Sequence, residues 1–230
     1  MREDQCNRVS CKIPERALYV NIPKVFEDYI DGQYRRPTGI VGRIIANRMA
    51  RQHQPENAWT VSLLRIQPAD HILEIGFGPG TTIQRLASLA PEGFVAGIDY
   101  SPTMVNLAYK RNIQAIKESR VDLRHGEAMK LPFANQSFDK AISIHTLYFW
   151  QEPLRALAEV QRVLKPGGML ALTILPGEKW PNGGNGTALC HVYSGNDVVN
   201  LLVDAGFSSA HIETGSVPEQ FSEIAVIGVK

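Results

Sequence analysis

The run His71-Ile-Leu-Glu-Ile-Gly-Phe-Gly-Pro-Gly80 limits the folds open to this chain more than any other segment. A short apolar stretch ends in a glycine-rich turn, and a helical pattern begins directly after Gly80. A second apolar stretch, Val95-Ala-Gly-Ile98, ends at Asp99 and Tyr100. Glycine lets the backbone approach a ligand closely, and a helix start offers unpaired N–H groups and a positive dipole end. An acid roughly 20 residues beyond such a turn is spaced to meet ribose hydroxyls. Together the two segments predict an α/β sheet that binds a nucleoside cofactor at the carboxyl ends of its strands.

The rest of the chain agrees with that architecture. Strand patterns fall near 71–75, 94–99, 121–125, 138–143, 168–174, 207–213 and 223–229, with helices near 80–89, 102–116, 153–163 and 194–205. Alternating strands and helices predict a mostly parallel, doubly wound sheet of seven strands. The last two strands are joined by Thr214-Gly-Ser-Val-Pro-Glu-Gln-Phe221, too short for a crossover helix, so the last strand is expected to be antiparallel. Residues 24–65 read as helical, broken at Arg36-Pro37-Thr-Gly39. The expected organisation is a tail over 1–20, an N-terminal helical lid over 21–68 and the α/β domain over 69–230. The Pro- and Gly-rich stretch 175–186 reads as a loop at the ligand edge of the sheet.

The loop departs from the dinucleotide fingerprint G-x-G-x-x-G, because Thr81 stands where the third glycine belongs. Its form, Glu74-x-Gly76-x-Gly78-x-Gly80, resembles the first motif of the Rossmann-like S-adenosylmethionine-dependent methyltransferases. Asp99-Tyr-Ser-Pro-Thr-Met104 is similar to that family's second motif, and Gly126-Glu-Ala-Met-Lys-Leu-Pro-Phe133 to its third. Phe138–Ser143 reads as the fourth strand, and Val163-Leu-Lys-Pro-Gly-Gly-Met-Leu170 leads into the fifth. These segments cover about residues 70–175. They most resemble small-molecule methyltransferases related to those that C-methylate quinone precursors.

The resemblance implies S-adenosyl-L-methionine as cofactor. It implies that Glu74, Gly76, Gly78, Gly80 and Thr81 lie around it, with Asp99 on the ribose, and Tyr100 and Met104 against the adenine. Glu127 and Ala128 stand in the third motif, where the acid accepts from the adenine amino group. The family usually has Asp where this chain has Glu127. Thr81 and Thr82 are also candidates to cap the following helix. Two rivals stand beside this reading. One is a non-catalytic module that binds the same cofactor, and the other is a nicotinamide-dependent oxidoreductase.

Methyl transfer from a sulfonium needs alignment above all, since the leaving thioether is neutral. A base is required only where the acceptor must lose a proton. His145, just past the fourth strand, is the candidate for that role, because an unperturbed imidazole titrates near neutrality. Tyr34, Arg36, Tyr148, Trp150 and His191 are candidates to line the acceptor pocket, with Arg35 a second basic group in the lid.

A net charge of +1 makes no general case for nucleic-acid binding, and no stretch is long and apolar enough to span a membrane. The opening residues lack the apolar core of a signal peptide, which points to the cytoplasm. Cys6, Cys11 and Cys190 show no metal-ligand spacing and suit a reducing compartment, so no metal is expected. The partner expected is a small-molecule methyl acceptor. Oligomeric state has no signature in the sequence.

Overall fold

A computed structural model describes residues 32–33, 35–180, 190–215 and 222–230. The expected tail, Tyr34, Cys6, Cys11 and the second half of the Pro- and Gly-rich loop lie outside them. Helices α1 (Gly39–Gln52) and α2 (Gln54–Leu63) come first. They are followed by β1 (His71–Ile75), α3 (Thr81–Leu89), β2 (Phe94–Asp99), α4 (Pro102–Arg111), α5 (Ile113–Lys117) and β3 (Val121–His125). The chain continues through β4 (Phe138–Ile144), α6 (Pro153–Val163), β5 (Leu164–Ile174), α7 (Gly195–Asp204), β6 (Ser209–Thr214) and β7 (Ile224–Val229).

The seven strands form one sheet in the order β3-β2-β1-β4-β5-β7-β6. Neighbours among β1 to β5 pair in parallel, and β7 runs antiparallel to both β5 and β6. This is the expected mixed sheet with a reversed last strand. Side chains leave the sheet on alternate faces, and β1 shows the consequence. Ile72 packs with Val61, Leu64, Ile83, Leu86 and Val95 on one face. Leu73 and Ile75 pack with Leu157, Val160, Val198 and Leu202 on the other. Each such aliphatic side chain, when fully buried, contributes about 1.5–3 kcal/mol. Strand order reverses between β1 and β4, so a crevice opens at the carboxyl ends of these two strands, the usual ligand position in an open α/β sheet.

Three boundaries differ from the sequence expectation. The helix expected over 102–116 is interrupted at Asn112, whose buried side-chain amide donates to the carbonyls of Gly80 and Ala108. β5 starts at Leu164 rather than 168, because Leu164 already pairs with Phe138 before the register shifts. β6 starts at Ser209 rather than 207, since Phe207 is buried and its N–H donates to Leu202 at the end of α7.

Helix α7 opens with a capping box. Ser194 Oγ accepts from the Asp197 N–H at 3.2 Å, and the Asp197 carboxylate accepts from the Ser194 N–H at 2.8 Å. Ser194→Ala is therefore expected to cost about 1 kcal/mol, a fall in melting temperature of about 2–4 °C. A thermal unfolding curve that superimposes on the wild type would remove the cap from the account.

The N-terminal helices are tied to the sheet by specific bonds. Thr60 of α2 shares a buried hydroxyl hydrogen bond of 2.7 Å with Thr173 of β5. Ser101, at the start of α4, donates to the Pro37 carbonyl at 2.5 Å. Val61 and Leu64 are buried in the core, which makes α2 part of the helical layer. α1 is less embedded; Ile40 and Ile44 are exposed. Among the described residues no helix is long and apolar enough to cross a membrane.

Candidate active site

The glycine turn between β1 and α3 has Gly76, Gly78 and Gly80 all at positive φ (76°, 52° and 77°). Side chains other than glycine reach that region only at a cost. Gly76 N–H donates to Ile98 at the end of β2, and Gly80 N–H closes the turn on Phe77. Behind the turn, Arg111 donates to the Pro79 carbonyl and Asn112 to that of Gly80, fixing the loop on α4. The first residue of α3 is Thr81, and its N-cap is Gly80 with no side-chain cap. Neither Thr81 nor Thr82 therefore caps the helix as the sequence suggested.

Asp99 ends β2 beside this turn. Its two oxygens accept from the Gly78 N–H and the Ser101 N–H, each at 2.8 Å. The carboxylate thus joins the two loops that close the crevice. Burial pushes its pKa up to about 6, opposed by the backbone N–H groups of Ser101 and Gly78 and by His125. Glu74, in β1, is more extreme. Burial raises it to about 8, nearby Asp99 adds to the rise, and a hydrogen bond with Thr82 opposes it. Glu74 Oε2 is buried without a hydrogen-bond partner among the described residues.

A cavity of ≈ 260 Å³ lies over these groups, close to the lower bound of about 300 Å³ for small-molecule sites. Its wall includes Glu74, Gly76, Gly78, Thr81, Asp99, Tyr100, Met104, Glu127, Ala128, His145 and Trp150, all expected from the sequence. Gly80 does not reach the wall and shapes the turn instead. The opposite side comes from the N-terminal segment, through Arg35, Pro37, Ala46, Met49, Ala50, His53 and Asn57. Carboxyl groups outnumber cations on this wall, with Glu74, Asp99 and Glu127 against Arg35. That balance suits a ligand carrying positive charge and disfavours a pyrophosphate.

Three pocket candidates do not reach this wall. Tyr148 is buried behind the wall, where its hydroxyl accepts from the Leu175 N–H and lies 3.3 Å from His145 Nδ1. His191 is exposed and away from the cavity; its N–H donates to the Tyr148 carbonyl. Arg36 is also exposed, its guanidinium 4.8 Å from the centre of the Tyr100 ring, and Arg35 takes its place on the wall. Tyr34 lies outside the described residues.

His145 occupies the left-handed region at φ 56°, held by an N–H bond to Thr173. Such non-glycine outliers are sparse and concentrate at functional sites. Burial pushes its pKa down to about 3, with His53 as the second cause. The ring is therefore neutral and a weak proton acceptor. The His53 ring lies 4.7 Å away and is itself lowered by burial. His53 has no local signature in the sequence, because its place beside His145 depends on how the α1–α2 junction packs.

A methyltransferase-domain family model matches residues 73–172. The uncharacterized methyltransferase YdaC of Bacillus subtilis is 35% identical over 130 residues, covering 56% of this chain and 70% of that protein. A demethylmenaquinone methyltransferase of Listeria welshimeri is 31% identical over 151 residues, covering 65% of this chain and 60% of that protein. The match thus spans less than two thirds of the Listeria enzyme. Among solved structures, a SAM-dependent methyltransferase from Aquifex aeolicus superposes with a TM-score of 0.65 at 23% identity, over 80% of this chain and 97% of that one. The fold is that of the Rossmann-like methyltransferases. The chain belongs to the methyltransferase-domain family.

Proposed function

We propose that the protein transfers the methyl group of S-adenosylmethionine to a small molecule, releasing S-adenosylhomocysteine. The observation that carries this reading is the cavity between the glycine turn and α1, near the size of small-molecule sites and lined by the acids and aromatic groups named above. S-adenosylmethionine supplies a methyl group on a cationic sulfur. Asp99 takes the ribose, Glu127 the adenine amino group, and Met104 and Tyr100 the adenine faces. The buried unpaired oxygen of Glu74 takes the ammonium of the methionine moiety, the one cationic partner that offsets the burial of that carboxyl. His145, Phe149 and Trp150 line the remaining wall, where the acceptor lies. Alignment and exclusion of water there do most of the catalytic work. Aromatic and aliphatic lining favours an apolar acceptor, and the quinone precursor implied by the Listeria relative's name is one class to try. Among the described residues, α1 and the segment before it from Arg35 supply the lid.

The test is incubation with methyl-labelled cofactor and panels of phenols, quinols, thiols and amines, followed by detection of S-adenosylhomocysteine and labelled product. Label on a small acceptor is the expected result. A chain that binds the cofactor but turns over none of these classes would favour the non-catalytic reading.

Glu74 also gives a pH prediction. Its folded pKa of about 8 lies above the ordinary 4.5. Its contribution to stability is then full below about pH 4.5 and is lost as pH rises through about 8. Glu74→Gln should make the ligand-free protein relatively more stable as pH goes from 5 to 8.5, while weakening cofactor binding. Each tenfold change in proton affinity is worth about 1.4 kcal/mol, so the melting curves should separate by several degrees. Parallel curves for the two proteins would show that Glu74 is not held as a buried acid.

A further inference from the structure

Two imidazoles and a carboxylate from three distant segments meet beside the cavity. His53 stands between α1 and α2, His145 follows β4, and Glu223 immediately precedes β7. One ligand-capable atom of each lies within 4.8 Å of the other two. His53 Nδ1 and His145 Nε2 are shut off from solvent and have no hydrogen-bond partner among the described residues. Oε2 of Glu56, in the first turn of α2, is in the same condition. Leaving one buried polar group unpaired costs about 1–3 kcal/mol, so the two unpaired imidazole nitrogens, on rings whose centroids lie 4.7 Å apart, call for a shared partner.

The chemistry of the group says what kind of partner. Ring nitrogens and carboxylate oxygens are lone-pair donors. Glu56 bears on Glu223 as a like charge. None of the salt bridges among the described residues involves either acid. A cation is what such a cluster lacks. An all-oxygen set would suit magnesium or calcium, whereas two imidazoles with one carboxylate suit zinc and its first-row neighbours.

We infer that His53, His145 and Glu223 form a binding site for one divalent transition-metal ion of the zinc class. Bonds of about 2.0–2.2 Å in tetrahedral geometry put neighbouring donor atoms about 3.4 Å apart, so the three side chains close by about 1 Å on the ion. Three protein ligands leave a fourth position open, as in catalytic rather than structural zinc sites. His53 and His145 are on the cavity wall and Glu223 is not, so the ion sits at that wall. If the cavity performs methyl transfer as proposed, a Lewis acid there selects an acceptor whose nucleophilic atom ionises on binding, such as a thiol, phenol or enol. That last step rests on the proposed function; the metal site does not. The ligands are 92 and 78 residues apart in the chain, which is why no metal-ligand spacing appears in the sequence.

The 230-residue chain, stripped with a chelator and dialysed, is titrated with Zn²⁺ and separately with Co²⁺, without cofactor. One ion per chain is expected, with visible d–d absorption for Co²⁺. Glu223→Gln keeps the shape of the side chain and should weaken Zn²⁺ binding by at least about tenfold, as should His53→Ala. Circular dichroism checks the fold of both, and if His53→Ala fails to fold the glutamine variant decides. Substoichiometric binding, or equal affinity in wild type and Glu223→Gln, would overturn the site. S-adenosylmethionine affinity of the metal-free protein is measured alongside. Its absence together with stoichiometric Zn²⁺ binding would remove the methyl-transfer reading and leave the metal site standing.

Discussion

Asp99→Ala is expected to weaken S-adenosylmethionine binding by about tenfold to a hundredfold, since a hydrogen bond to a charged group is worth about 1.5–3 kcal/mol. The same substitution leaves the N–H groups of Gly78 and Ser101 without their acceptor. Each orphaned donor costs about 1–3 kcal/mol, so the turn loosens as the ribose contact is lost. Titration calorimetry well below the melting temperature separates affinity from unfolding. Asp99→Asn keeps one acceptor oxygen and should fall between wild type and alanine. An unchanged dissociation constant for the alanine variant would remove Asp99 from the cofactor site.

Gly80→Ala should produce the largest loss of stability. At φ 77° an alanine there pays roughly 1–2 kcal/mol for the left-handed conformation. Its Cβ would also lie 2.9 Å from Ala108 Cα and 2.8 Å from the Asn112 amide nitrogen, an overpacking worth about 1–3 kcal/mol. The sum, about 2–5 kcal/mol, predicts a melting temperature lower by roughly 5–20 °C in a chain of this size. Gly78→Ala makes the contrast. Gly78 is also at positive φ, but nothing lies within 4 Å of an added Cβ. That variant should lose only about 1–2 kcal/mol, while its methyl group, on the cavity wall, impairs cofactor binding. Equal melting temperatures for the two variants would contradict the packing of Gly80 on α4.

The parts of this protein that were legible in its sequence are those encoded within a few residues. The glycine turn, Asp99 at a strand end and the short link between the last two strands each carry a local geometric requirement, and the sheet follows from them. The wall opposite the glycine turn was harder to read. Arg35 rather than Arg36 faces the cavity, and Tyr148 lies behind His145 rather than beside it, because those orientations depend on a 3₁₀ turn at Leu147–Phe149 and on how α1 packs. His53 and Glu223 carry no local signal, since only the tertiary fold brings them to His145. The break at Asn112 has no local signal for a related reason. Its side chain answers to the carbonyl of Gly80, 32 residues earlier.

Thermal unfolding with S-adenosylmethionine, S-adenosylhomocysteine, NAD and NADP, each at millimolar concentration, tests most directly whether the cavity over the glycine turn holds S-adenosylmethionine. A ligand at about 100 times its dissociation constant adds roughly 2.7 kcal/mol, or several degrees at about 2–4 °C per kcal/mol. A rise with the two S-adenosyl compounds and with neither nicotinamide nucleotide is the predicted result. A rise with a nicotinamide nucleotide alone would contradict the account and point to hydride transfer.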